Sequence, residues 1–233
     1  MELIPVMDLE RGQVVRARFG RRDEYRPIES PLSATSDPID VTRGLLSLYP
    51  FRTLYIADLD AIESVGNNDG SIALVKATFP ELSLWVDNGM RELPAASRWL
   101  AEGWGALVIG SESQSDLQTV EALAKDPRLV LSLDFRGEAF QGPPELLASP
   151  GVWPKRVIAM TLARVGSGAG PDLERLAALR AAAPRVELYA AGGVRDSRDL
   201  EILARAGICG ALVSTSLHDG RLGRRQIEAA HSL

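Results

Sequence analysis

Short runs of Val, Ile and Leu recur along the chain, and each run ends in a polar or glycine-containing stretch. The runs are continuously apolar, which is typical of parallel strands that helices cover from outside. They predict eight strands, which begin at Leu3, Thr53, Leu82, Gly105, Arg128, Arg156, Val186 and Gly210.

Amphipathic segments lie between these runs, and their apolar spacing predicts crossover helices over residues 72–78, 93–102, 117–125, 172–183 and 197–206. Eight strand–helix units in 233 residues match the α/β class and a single (β/α)8 TIM barrel, for which about 250 residues is typical. An open, doubly wound sheet is the alternative fold.

The two halves of the chain resemble each other. The segment LWVDNGMRE at 84–92 aligns with LYAAGGVRD at 188–196, which sets Gly89 over Gly193 and Arg91 over Arg195. The tetrapeptide GALV occurs at Gly105 and again at Gly210. A repeat of this length exceeds solenoid periods, so we expect one domain over residues 1–233 that is built from two similar half-barrels.

Composition excludes several classes of function. The chain has 26 Lys and Arg against 31 Asp and Glu, with no basic block for nucleic acid or a membrane surface. One Cys and two His provide neither a disulfide nor a zinc-ligand set, so no metal is expected. The N-terminal segment carries acids and only a short apolar run, and no run reaches membrane-span length, so we expect a cytoplasmic protein.

The candidate chemistry lies where the apolar runs turn polar, because the active sites of TIM barrels lie at the carboxyl ends of the strands. The polar residues there are Asp8, Asp58, Asp87, Asp134 and Thr161. Asp8 and Asp134 occupy equivalent points of strands 1 and 5, on opposite sides of the barrel, which suits a pair of proton-transferring groups. The alternative is that each Asp caps a turn or pairs with Arg11 or Arg136.

A phosphate site is predicted after strands 7 and 8, where AAGGV and STS follow the apolar runs. Glycines let backbone amides approach an anion, and these two loops are the usual phosphate position in this fold. The expected contacts come from Gly192, Gly193, Ser214 and Thr215. The alternative is a tight turn that needs glycine for its positive φ.

The corresponding loops of the first half supply a second set of candidate contacts, Gly89, Arg91, Gly110 and Ser111. In this half Asp87 and Asn88 stand where the second half has Ala191 and Gly192. Either Asp87 faces a non-phosphate part of the ligand, or it turns away and hydrogen-bonds the loop. The loop after strand 1 adds a cluster of cations for an anionic ligand, unless neighbouring acids pair with them: Arg16, Arg18, Arg21, Arg22 and Arg26.

With these motifs assembled, nearly the whole chain resembles the histidine-biosynthesis barrel family of phosphoribosylformimino-AICAR ribotide isomerase and its cyclase relative. The matching segments are IPVMDLERGQVVR, LSLDFRG, VIAMTLARVG, YAAGGVRD and GALVSTS. The resemblance implies that Asp8 is the general base, Asp134 the general acid and Thr161 a substrate contact. It also implies an Amadori-type rearrangement of a phosphorylated aminosugar, with no cofactor and no metal.

The chain departs from that family in three places. RVGSGAGPD replaces a loop that contains Asp-Gly-Thr, Asp87-Asn88-Gly89 replaces Gly-Gly-Gly, and strand 8 lacks a Gly-Arg or Gly-Lys pair. The segment at 25–41 resembles that of isomerase-like paralogues from methanogens and methylotrophs, which implies a role outside histidine synthesis, such as one-carbon cofactor biosynthesis.

The sequence therefore predicts an isomerase-like enzyme for a small phosphorylated metabolite. The alternative is a non-catalytic barrel that binds a phosphorylated metabolite or a partner protein. The oligomeric state stays open.

Overall fold

A computed structural model describes residues 1–17 and 21–232. In this part of the chain eight parallel strands form the barrel: β1 (Glu2–Glu10), β2 (Thr53–Asp58), β3 (Ser83–Asp87), β4 (Ala106–Gly110), β5 (Leu129–Arg136), β6 (Arg156–Thr161), β7 (Glu187–Ala191) and β8 (Gly210–Val213). Each strand pairs with the next, and β8 pairs with β1 through Glu2 and Gly210. The sheet is closed, which confirms the predicted TIM barrel and excludes the open sheet.

One helix follows each strand: α1 (Pro38–Leu48), α2 (Asp69–Thr78), α3 (Leu93–Glu102), α4 (Gln118–Leu123), α5 (Pro144–Ala148), α6 (Leu173–Ala182), α7 (Ser197–Arg205) and α8 (Arg224–His231). The five predicted helices all form, with ends shifted by a few residues. None of the helices in the described residues combines the length and apolarity needed to cross a membrane.

Short helices and strands lie in the loops at the carboxyl end of the barrel. One-turn helices at Leu59–Ile62 and Thr215–His218 follow β2 and β8, and short 3-10 helices include Arg22–Glu24 and Ser111–Ser113. Three short strands pair antiparallel to their neighbours: Gln13–Arg16 on β1, Arg26–Pro27 on Gln13–Arg16, and Ala139–Gln141 on β5. These elements shape the loops around the barrel mouth.

Side chains alternate between two cores along each strand. Outward residues such as Leu54 and Ile56 pack against the helices, whereas inward residues such as Tyr55 and Ala57 fill the barrel axis. Because the alternation has a period of two, it also fixes the direction of the strand-end residues. Asp8 and Asp134 continue the inward series of their strands.

The repeated tetrapeptide GALV reflects a packing requirement in both halves. A Cβ atom on Gly105 would lie 2.2 Å from the carbonyl oxygen of Leu84, and one on Gly210 would lie 2.7 Å from that of Glu2. In each case the chain enters its strand too close to the neighbouring backbone for any side chain. The glycine at this point is therefore required by the close approach of the neighbouring strand.

We expect Gly105→Ala to lower the free energy of unfolding by about 2 to 3 kcal/mol, because the added methyl group collides with backbone that cannot move aside. The matched control is Gly70→Ala in α2, where a Cβ atom meets nothing within 4 Å. That change should stabilise the helix by up to about 1 kcal/mol. Urea unfolding of both variants checks the contrast, and equal midpoints would contradict it.

Candidate active site

A cavity of about 120 Å³, open to solvent, lies at the carboxyl ends of the strands. Its walls include Asp8, Asp87 and Asp134, which belong to the inward series of β1, β3 and β5. Gly192, Gly193, Ser214 and Thr215 line it from the loops after β7 and β8. The structure therefore brings the two predicted acid–base residues and the four predicted phosphate contacts into one cavity.

The Asp8 carboxyl stands in the cavity wall without a hydrogen-bond or ion-pair partner among the described residues. Arg11, the neighbouring cation, is 87% exposed in its side chain and lies 3.8 Å from Glu10 instead. Burial raises the pKa of Asp8 to about 7, while the charge of Arg22 acts to lower it. A carboxyl with this pKa and no partner can accept a proton near neutral pH.

The Asp134 carboxyl, by contrast, is held by several donors. The hydroxyl of Ser132 donates to Oδ1 at 2.7 Å, and the amide of Glu112 donates to Oδ2 at 3.2 Å. Burial raises the pKa of Asp134 to about 7, and the nearby Asp87 carboxyl adds to this rise. Arg136 forms no ion pair with it, so the predicted pairing with that residue is wrong.

Ser111 was predicted as a ligand contact, but it is fully buried and positions Asp134. Its hydroxyl accepts the Asp134 amide at 2.9 Å and donates to the carbonyl of Gln141 at 2.7 Å. Because Ser111 has a single hydroxyl hydrogen, its 3.2 Å contact with Asp134 Oδ2 suits a proton carried by the carboxyl.

The neighbours of the two carboxyls act in opposite directions. The Arg22 guanidinium favours the ionised form of Asp8, whereas the Asp87 carboxylate favours the protonated form of Asp134. Two carboxyls whose surroundings differ in this way are suited to separate roles as base and acid.

A third carboxyl, Asp87, is 9% exposed and faces the same cavity. Its Oδ1 accepts the amide of Gly89 at 3.1 Å, and its Oδ2 accepts the hydroxyl of Tyr55 at 3.3 Å. Burial raises the pKa of Asp87 to about 6. Asp87 therefore bonds the loop through one oxygen while the residue borders the cavity, and its contact with a ligand stays a prediction.

Gly110 makes the approach of two carboxyls possible. A Cβ atom there would lie 3.2 Å from Asp87 Oδ2 and 3.3 Å from Asp134 Oδ2. The missing side chain lets both carboxyl groups approach the backbone of Gly110 closely.

The glycine pair after β7 has a structural reason of its own. Gly192 and Gly193 have φ of +99° and +85°. A Cβ atom on Gly192 would lie 2.6 Å from the Thr161 carbonyl oxygen, and one on Gly193 would lie 2.3 Å from that of Gly170. Backbone packing thus requires both glycines, and their binding of phosphate stays a prediction.

Besides Ser111, Gly110 and Arg16, four predicted contacts do not line the cavity in the described part of the chain. Thr161 is buried behind the cavity wall, beside Asp172 and Arg175 at the start of α6. Asp58 caps the turn after β2 by accepting the amides of Ala61 and Asn68 at 3.2 and 2.7 Å. The other two are Gly89, which packs on Ile62, and the exposed Arg91.

Arg16 fastens the loop after β1 and lies outside the cavity wall. Its guanidinium donates to Asp219 at 2.8 Å, and nearby the Ser30 hydroxyl lies 2.8 Å from Nδ1 of the buried His218. Both contacts tie the first loop to the segment after β8. Arg18 lies outside the described residues.

Arg22, a member of the predicted cation cluster, lines the cavity, whereas sequence reasoning missed several other residues of its wall: Tyr25, Tyr55, Glu112, Arg136 and Arg221. Arg22 donates to Glu112 at 2.6 Å and so joins the loop after β1 to the loop after β4. Arg136 has no ion-pair partner among the described residues. The inward parity of Tyr55 and Arg136 was the available signal, since each lies two residues from another inward position.

Comparison with known proteins assigns the family. The family model described as histidine biosynthesis protein matches residues 2–223. An uncharacterised protein of Methanocaldococcus jannaschii is 29% identical, with 97% of each chain covered. A protein of Rubrobacter xylanophilus is 30% identical over 98% of this chain and 96% of its own, and is named 1-(5-phosphoribosyl)-5-((5-phosphoribosylamino)methylideneamino) imidazole-4-carboxamide isomerase.

A protein of Thermus thermophilus with the same name is 29% identical over 95% of this chain and 96% of its own. The match to the family model and these relatives extend over the whole barrel, including the strands that carry Asp8 and Asp134. The chain belongs to the histidine biosynthesis protein family and is an isomerase-type barrel enzyme.

Proposed function

We propose that the protein moves a carbonyl group within a phosphorylated aminosugar by an Amadori-type rearrangement, with Asp134 as acid and Asp8 as base. The observation that carries this proposal is the pair of near-neutral carboxyls that face one cavity from β1 and β5. Groups with pKa values close to the working pH are the most effective proton donors and acceptors. The names of the isomerase relatives support the same class of reaction.

The proton transfers balance in this assignment. Asp134 gives its proton to the ring oxygen of the sugar as the bond from that oxygen to C1 breaks, which leaves an iminium at C1. Asp8 then takes the proton from C2, and the C–H electron pair neutralises the iminium to give an enaminol. Tautomerisation of the enaminol yields the ketone, so the product is an isomer of the substrate and no redox partner is needed.

The phosphate of the substrate is assigned to the second-half loops, at Gly192, Gly193, Ser214 and Thr215. Arg221 lines the same cavity near β8, and Arg136 adds a cation without an ion-pair partner in the described chain. We place the substrate outside histidine synthesis because a carboxylate occupies the corresponding first-half corner. One-carbon cofactor biosynthesis is the role that the resemblance implies.

Asp8→Asn and Asp134→Asn should each lower turnover at least about 100-fold, because the amide neither accepts nor supplies the transferred proton. The assay follows rearrangement of ribosylamine 5-phosphates prepared from ribose 5-phosphate and arylamines. Glu102→Gln, at an exposed position on α3, is the control and should leave turnover unchanged. Unchanged turnover in both Asn variants would favour a barrel that only binds its ligand.

Asp134→Asn should also stabilise the protein at pH 8, by roughly 1 to 3 kcal/mol. The folded-state pKa of about 7 lies above the unfolded value of 3.8, so folding favours the protonated carboxyl. The stability that this proton contributes is complete below pH 4 and is lost as pH rises through 7. Asn stays neutral throughout, so its advantage should disappear near pH 4.

Urea unfolding at several pH values checks this trend. Asp126→Asn is the matched control, because the hydrogen bond from Arg128 lowers the pKa of Asp126. Loss of the Asp126 charge should lower the free energy of unfolding slightly at pH 8. This change is opposite in sign to the one expected for Asp134→Asn. An Asp134→Asn variant that is less stable than the parent at pH 8 would contradict the assigned burial cost.

Inorganic phosphate should raise the melting temperature by binding the folded state at the second-half loops. Ser214→Asp should abolish the rise, since a carboxylate there repels the anion. Ser83→Asp, at the exposed start of β3 on the opposite end of the barrel, should leave the rise intact. An equal response in both variants would place the phosphate elsewhere.

A further inference from the structure

The two halves of the barrel end corresponding strands with different chemistry. In the second half Ala191 ends β7 and two glycines follow, whereas in the first half Asp87 ends β3 and Asn88 and Gly89 follow. The Gly89 amide, which corresponds to that of Gly193, donates to Asp87 Oδ1 at 3.1 Å. This corner is therefore closed to a second phosphate, because its amide is occupied and its carboxylate repels anions.

The second oxygen of Asp87 lacks a strong partner. The Tyr55 hydroxyl lies 3.3 Å from Oδ2, beyond the usual range of about 2.5 to 3.0 Å for such bonds. Within the described residues no cation forms an ion pair with Asp87. Arg22 acts on it only at longer range and is engaged by Glu112 at 2.6 Å. A carboxylate this deeply buried is costly unless a positive group compensates it.

Two carboxyl oxygens approach the Gly110 backbone closely at this corner. A Cβ atom there would lie almost equally far from Asp87 Oδ2 and Asp134 Oδ2, at 3.2 and 3.3 Å. A small group on the cavity side of Asp87 would meet its charged Oδ2, whose one hydrogen-bond contact in the described residues is the long one from Tyr55. A protonated amine has three hydrogens and one positive charge, which fits this surrounding better than a hydroxyl or an anion.

The position of Asp87 in the barrel indicates which kind of ligand could reach both Asp87 and the phosphate loops. β3 and β7 lie on opposite sides of the closed sheet of eight, with three strands between them in each direction. Asp87 therefore faces the predicted phosphate loops across the cavity. A ligand with a phosphate at one end and an amine at the other would span this distance. A ligand with phosphates at both ends would place one of them against Asp87.

We propose that Asp87 is a specificity residue that binds a protonated amino group of the substrate other than the C1 nitrogen that forms the iminium, so that the enzyme selects aminosugar monophosphates over bisphosphates and over their hydroxyl analogues. This inference rests on the proposed function, because it takes the phosphate to lie at the loops after β7 and β8.

The test compares glucosamine 6-phosphate with glucose 6-phosphate, which differ only by an amine in place of a hydroxyl. Isothermal titration at pH 7 should show that the parent binds the amine about tenfold more tightly or better. Asp87→Asn should bring the two affinities within about twofold while keeping the affinity for glucose 6-phosphate. The Asn side chain still accepts the Gly89 amide, so the loop is expected to keep its conformation.

Two further variants test whether the preference for the amine depends on the Asp87 charge and not on other changes near the cavity. Tyr55→Phe removes the weak hydroxyl contact and leaves the carboxylate, so the preference for the amine should remain. Glu63→Gln removes an acid outside the cavity wall, 3.7 Å from Arg22, and should also leave the preference unchanged. Melting temperatures of all variants confirm that each is folded.

Three outcomes would overturn the inference. Equal affinities in the parent, a preference that survives in Asp87→Asn, or tighter binding of fructose 1,6-bisphosphate than of either monophosphate would each exclude the amine role. In all three the response to inorganic phosphate would persist, and the phosphate loops would stand. Absence of any phosphate response, with no binding of either sugar, would instead contradict the proposed function and this inference together.

Discussion

The pairing of β8 with β1 is the constraint on which the site depends, because closure of the sheet fixes which side chains face the axis. Once residues such as Ile4, Tyr55 and Val130 fill the interior, inward positions nearer the carboxyl ends of the strands open into the mouth. Asp8, Asp87 and Asp134 occupy such positions on alternate strands. Their convergence follows from strand parity and register, and no loop contact is needed to create it.

Gathering three carboxyls has an energetic consequence for the fold. Each has lost most of its water, and burial raises each pKa toward neutrality. A hydrophobic or amide side chain at these places would favour the folded state more. The three carboxyls therefore lower the free energy of unfolding of the barrel. The same burial gives them pKa values suited to proton exchange near pH 7.

Periodicity and repeats were sufficient to predict the barrel, since continuous apolar strands and the repeated GALV carry the information that closure needs. They also identified Asp8 and Asp134, whose parity agrees with the inward series. Asp58 and Thr161 end strands in the same apparent way, but their parity directs them outward, since each lies an odd number of residues from an inward position such as Tyr55 or Ile158. Arg22 and Glu112 join loops distant in sequence, so no local pattern could indicate their 2.6 Å contact.

Two lines across the barrel mouth intersect, and we call them diagonals: the first joins β1 to β5, and the second joins β3 to β7. The proton-transferring carboxyls of the proposed reaction stand on β1 and β5, four strands apart, and the proposed substrate-holding corners stand on β3 and β7. A ligand held along the second diagonal presents its middle to the first, which is where a carbonyl shift along a short chain needs both an acid and a base. Asp87 belongs to both diagonals, because it helps to raise the pKa of Asp134 while it borders the opposite end of the ligand. An amine bound at Asp87 would neutralise that carboxylate and so lower the pKa of Asp134, which would ready the acid to release its proton only when the correct substrate is in place.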